Sequence, residues 1–149
     1  MKILKALFMG LAFVTIPAFA APDVKVDSDI GVTNKLKAWD TKFKNAENIK
    51  GKDVARWNLA TASYPDLKEA VDMAVKNPNV PFFDLLVNLA GFCAQHDHSG
   101  VIGEVVRPLK ESQKEAFTKA VAKLNEARAK SLKAAIAGVE SIIKKGSNR

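Results

Sequence analysis

The stretch Phe82–Cys93, FFDLLVNLAGFC, decides how this chain folds. At 100° per residue, Phe82, Phe83, Leu85, Leu86, Val87, Leu89, Ala90, Phe92 and Cys93 point in every direction around a helix, the pattern of a helix buried on most of its sides. Such a helix needs other helices around it, so it belongs at the centre of the domain.

Working outward, the flanking sequence has helical periodicity and almost no strand alternation. Val32, Leu36, Trp39, Phe43 and Ala46 recur at intervals of four, three, four and three, which predicts one face of a helix over about 28–47. Ile49-Lys-Gly51 reads as a stop. Asp53 is placed to cap a short second helix containing Val54, Trp57 and Ala60 to Ala62. Pro65, followed by Asp66 and Glu69 in the first turn, predicts the start of a third helix with Leu67, Val71, Ala74 and Val75 inward, closed by Asn77-Pro78. The central helix opens near Pro81 and ends at or before Ser99-Gly100. Val101, Ile102, Val105 and Val106 suggest a brief apolar helix before Pro108, with a strand as the alternative because Val and Ile favour sheets.

Between Pro108 and Lys145 there is no proline and one glycine, Gly138. Phe117, Val121, Leu124, Leu132, Ile136, Val139 and Ile143 fall along one stripe, interrupted by Arg128, and Ser112-x-x-Glu115 has capping-box spacing, so the helix starts at Pro108 or Ser112. An unbroken helix here would reach roughly 55 Å, more than a domain of this size needs. The expectation is a hairpin break near Ala127–Ser131 or a projecting end that finds a partner, with residues 146–149 frayed. The fold class is all-α: a small bundle of five or six helices, with a central apolar helix and a long basic C-terminal helix.

The first twenty residues, MKILKALFMGLAFVTIPAFA, carry Lys2 and Lys5 before an apolar run from Ala6 to Ile16 and end in Ala18-Phe19-Ala20. This is the pattern of a cleaved secretory signal, with the mature chain expected to begin at Ala21. The run falls short of the roughly 18 to 20 apolar residues that span a bilayer. A periplasmic or secreted protein is expected, with residues 21–149 forming one helical domain. Without Lys2 and Lys5, 21 basic residues face 16 acidic ones, a net +5. The charge is uneven: from Arg107 onward eleven Lys/Arg face four Glu, +7, whereas residues 21–106 carry ten basic and twelve acidic side chains, −2. The basic character belongs to the segment 107–149.

The chain's only cysteine and both its histidines lie together in Gly91–Gly100, GFCAQHDHSG. On a continuing helix, Cys93, His96 and Asp97 share a face at i, i+3 and i+4, and His98 is turned away. These residue types can begin a zinc, copper or heme site. A closed tetrahedral site, however, needs four ligands, which would require His98 after unwinding or carboxylates from elsewhere. The structural alternative is a helix end: His near the C-terminal carbonyls, Ser-Gly in the turn, and Cys93 buried beside Phe92. A Cys93 nucleophile with His96 as its base is the remaining reading. Cys-x-x-Cys-His and Cys-x-x-Cys are absent, as are paired Glu-x-x-His motifs, a Gly-rich phosphate loop, G-x-S-x-G and H-E-x-x-H. No catalytic constellation is recognisable and no enzyme is expected. With one Cys no internal disulfide can form, so the fold rests on its apolar core.

The other functional signal is the cluster Lys110, Lys114, Lys119, Lys123, Arg128, Lys130, Lys133, Lys144 and Lys145. Nucleic acid is disfavoured by export and by the lack of interleaved aromatics for base stacking. The expectation is a non-enzymatic binding protein without a cofactor, acting on another, acidic protein through Lys114, Lys119, Lys123, Arg128, Lys130 and Lys133, in an inhibitor or immunity-type role. A homodimer through the C-terminal helix or a Cys93 to Cys93 bridge is compatible with the sequence. The second reading is a transition-metal or heme protein using Cys93, His96, Asp97 and His98. The third is association of the basic helix with an anionic membrane surface.

Overall fold

The computed structural model describes residues 24–51 and 53–147, with side chains from Ser28 onward. The expected signal segment 1–20 lies outside the described residues. Those residues form six helices and no strand: α1 (Val24–Glu47), α2 (Asp53–Lys76), α3 (Phe83–His96), α4 (Val101–Ser112), α5 (Lys114–Val121) and α6 (Glu126–Gly146). This is the all-α bundle expected, and no helix among the described residues is long and apolar enough to cross a membrane.

α3 is central. It packs against each of the other five helices, and Leu86, Val87, Leu89, Ala90, Phe92 and Cys93 are all buried. Opposite it, Val32, Leu36, Phe43 and Ala46 of α1 are buried as the four-three spacing requires. Phe43 stacks on Phe92 with ring centroids 4.0 Å apart and an interplanar angle of 12°. Trp39 lies at the margin of the core, its indole N–H donating to Asp66 Oδ2 at 2.8 Å and so joining α1 to α2. The turn between these helices uses Gly51 at φ +79°, the left-handed region where a Cβ is costly. Arg56 caps the end of α1, donating to the carbonyls of Ala46 at 3.2 Å and Ile49 at 2.7 Å.

Two sequence expectations are corrected. Pro65 does not open a new helix: α2 runs unbroken from Asp53 to Lys76 with Pro65 inside it. Proline removes one donor to the preceding turn, a cost of about 3 kcal/mol in a helix interior. Ala60, Ser63, Leu67, Ala70, Val71 and Ala74, however, form one continuous buried face across it, and burying both halves against α1, α3 and α4 offsets that cost. Pro108 likewise falls inside α4, which begins at Val101, so the Val/Ile-rich segment is helical rather than extended. Pro108 and Glu104, whose carbonyl loses its usual donor, both lie on the exposed side, where water can serve instead.

The long C-terminal helix also differs. Ser112 forms no capping box: its hydroxyl donates back to the Pro108 carbonyl at 2.7 Å. Gln113 Nε2 donates to the Val75 carbonyl at 2.7 Å, fixing the junction of α4 and α5 to the end of α2. The break comes earlier than Ala127–Ser131, between Val121 and Glu126, because Asn125 is the N-cap of α6 and accepts from the Arg128 amide at 2.9 Å. α5 and α6 each pack on α3 and α4 rather than on one another.

Candidate functional site

The end of α3 is knitted together by hydrogen bonds. Cys93 is fully buried, its Sγ 3.4 Å from Ser63 Oγ. Burial pushes its thiol up to about 12, with the Ser63 hydroxyl opposing, so the sulfur stays protonated at neutral pH. A bridge from Cys93 to a second chain would require α3 to open. Asp97, the C-cap, accepts from the Tyr64 hydroxyl, from the Ser99 amide at 2.9 Å and from the Ser99 hydroxyl at 2.6 Å. Burial pushes its carboxyl up, but these hydrogen bonds outweigh burial and hold it below the usual carboxylate range.

His96 lies elsewhere, its ring 4.5 Å from that of Phe92. Burial, reinforced by Arg56, lowers its pKa. His98 is exposed in the turn. The four side chains expected to gather around a metal are thus divided among a buried thiol, a buried cap, a ring face and solvent. Among the described residues no three His, Cys, Asp or Glu side chains come together as metal ligands would. The arrangement matches the helix-end reading of this stretch.

The basic residues are also divided. Arg128, expected on the binding face, is buried. Its Nη1 donates to Asn88 Oδ1 at 2.6 Å, its Nη2 pairs with Glu47, and the guanidinium lies 5.6 Å from the Phe92 ring centroid. It ties the start of α6 to α3 and to the end of α1. Gly91 is the place where α3 makes room for it: a Cβ there would come within 3.0 Å of Arg128 Cβ and 3.2 Å of Leu124 Cδ1. Lys119 pairs with Glu115 at 2.6 Å and Lys123 with Asp84 at 2.5 Å, both on the surface, where such pairs contribute little. Lys130 is exposed.

Lys114 and Lys133 meet at a groove. Together with Lys110 they rim a cleft of about 280 Å³ between α5 and α6, floored by Phe117, Val121 and Ile136 and edged by Thr118 and Ala122. The cleft exists because α5 and α6, although joined by a four-residue turn, diverge to pack separately on α3 and α4. Lys110 is held by Glu140 at 2.6 Å, whereas Lys114 and Lys133 form no ion pair among the described residues. The aliphatic stems of the lysines can line the walls while their ammonium groups stay at the mouth. An apolar floor under unpaired positive charge suits a ligand that is both apolar and anionic. No protein-family model, curated protein or solved structure matches the chain.

Proposed function

We propose that this is an exported, non-enzymatic binding protein that engages an acidic partner protein through the surface formed by α5 and α6. The observation that carries the reading is the groove itself, where unpaired Lys114 and Lys133 stand over Phe117, Val121 and Ile136. Charge around an apolar patch steers a partner of opposite sign and fixes its register. The segment from Arg107 onward concentrates a net +7, so two copies meeting face to face here would repel, which favours a different, acidic protein over a homodimer. An inhibitor or immunity-type role fits a small exported binder whose described residues form a single helical bundle. Export rests on the signal pattern of residues 1–20 and is checked by N-terminal sequencing of the periplasmic or secreted form, with Ala21 expected first.

α6 is integral to the core, with Leu132, Ile136 and Val139 buried, so the binding test is charge reversal rather than truncation. The wild-type protein and a Lys114→Glu/Lys133→Glu variant, matched by circular dichroism, are compared as baits in extract of the source organism at two salt concentrations. A partner retained by the wild type, weakened by salt and lost with the variant supports the reading. Equal retention by both refutes it.

A further inference from the structure

The groove's dimensions narrow the partner's chemistry. At about 280 Å³ it is smaller than the roughly 300–1,000 Å³ that encloses a whole small-molecule ligand, and it is lined by residues of both α5 and α6. A cleft of this kind takes side chains that project from a larger body, in the manner of an amphipathic helix laid into a groove. The floor is aliphatic and aromatic, Val121, Ile136 and Phe117, and offers bulky apolar side chains a seat. The rim places Lys114 on α5 and Lys133 on α6, one on each bank. An occupant lying between them meets positive charge on both sides, so its apolar stripe must be flanked by carboxylates on both edges.

We propose that the α5–α6 groove is the anchor site for an acidic amphipathic helix of the partner protein, its apolar side chains seated on Phe117, Val121 and Ile136 and its flanking carboxylates paired with Lys114 and Lys133. This rests on the protein-binding reading above and adds the secondary structure, charge and apolar spacing of the segment that binds. An uncharged apolar helix would cover the floor but leave both rim ammonium groups without partners, and so would gain nothing from the charge. A basic helix would be repelled.

The test is selection of a displayed library of helical peptides, randomised at the exposed positions of a helix-stable scaffold, on the full-length mature protein. Enriched sequences are expected to carry apolar residues at i, i+3 or i+4, and i+7 with Glu or Asp on both flanks. Their affinity is expected to fall by about tenfold or more for Lys114→Glu/Lys133→Glu. A Val121→Ala variant, which opens the floor while leaving the rim, should weaken them with little change in salt dependence. Enriched peptides without acidic flanks, or peptides that bind the Lys114→Glu/Lys133→Glu variant as well as the wild type, overturn the groove assignment. So does failure to enrich any peptide while vesicles of phosphatidylglycerol bind the protein and the charge variant releases them. The groove assignment can fall in these ways while the extract experiment still shows a charge-dependent protein partner. If that partner is absent too, the protein-binding reading falls with it.

Discussion

Gly103 lies where α4 crosses α6, and replacing it by alanine gives a test in which two effects have opposite signs. A Cβ built on Gly103 comes within 2.7 Å of the Ala135 carbonyl carbon and 3.1 Å of Val139 Cγ2. The obstructing group is backbone, held in the middle of a helix, so α6 as a whole must move by several tenths of an ångström. Overpacking of this kind costs about 1–3 kcal/mol. Against it stands the helix preference for alanine over glycine, about 1 kcal/mol in a helix interior. Because the obstructing atoms are backbone, the upper part of the overpacking range applies and the steric cost wins, so Gly103→Ala is expected to destabilise by up to about 2 kcal/mol. Gly138 in α6 has nothing within 4 Å of its would-be Cβ, so Gly138→Ala keeps only the favourable part and is expected to stabilise by about 0.5–1 kcal/mol. Urea unfolding of both variants beside the wild type measures the difference. With a melting shift of about 2–4 °C per kcal/mol for a chain of this length, thermal melts should separate the two by several degrees, Gly138→Ala above. If Gly103→Ala stabilises as much as Gly138→Ala, α4 and α6 do not approach as described, and the scaffold under the groove is wrong.

Other outcomes follow from the same contacts. Arg128→Ala leaves Glu47 and Asn88 without their partner and should cost about 1–3 kcal/mol in chemical denaturation, whereas Lys123→Ala, on the surface, should stay within about 0.5 kcal/mol. The Cys93 thiol should react with a thiol reagent at neutral pH only as fast as the protein opens and at full rate in denaturant; rapid labelling of the native protein would contradict its burial. On the acid side the signs are set by linkage. Asp97 is depressed in the folded state, so its contribution is present above its unfolded value near 4 and is lost as pH falls through the folded one. His96 is also depressed, so the unfolded chain takes up its proton first and stability begins to fall below about 6.5. In pH-dependent melts, His96→Gln should flatten the slope just below about pH 6.5 and Asp97→Asn the slope below about pH 4; an unchanged slope in either variant removes that group from the account.

Elements with local periodicity were legible in the sequence. The all-round apolar pattern of Phe82–Cys93 located the central helix, and the spacing of Val32, Leu36, Phe43 and Ala46 located the buried face of α1. Read locally, Pro65 and Pro108 break helices, yet Ala60, Ser63, Leu67, Ala70 and Ala74 keep an unbroken three-four spacing through Pro65. That spacing was the signal that α2 is continuous. In the C-terminal segment the interruption of the apolar stripe at Arg128 points to a break a few residues too late, whereas Asn125, an N-cap residue, marks where α6 begins. In the GFCAQHDHSG stretch α3 ends at His96, and the hydrogen bonds to Asp97 show what holds that end. What no local pattern could reveal is tertiary. Arg128 finds Glu47 from 81 residues away, and a buried arginine looks in sequence like any other charge on a basic helix. The groove depends on α5 and α6 choosing α3 and α4 over each other, a choice made by the whole core. Lys114 and Lys133 stood out as basic residues, but their separation from Lys119, Lys123 and Arg128 required the fold.

The central claim is that the α5–α6 surface meets another protein, and site-specific photo-crosslinking in the source organism tests it most directly. A photoreactive residue is placed at Ala122, exposed at the edge of the groove, and in a second variant at Ala38, exposed on α1. A discrete adduct of higher mass from Ala122, abolished by Lys114→Glu/Lys133→Glu and absent from Ala38, is the expected result. An adduct from Ala38 alone, or one from Ala122 that survives the charge reversal, contradicts the claim.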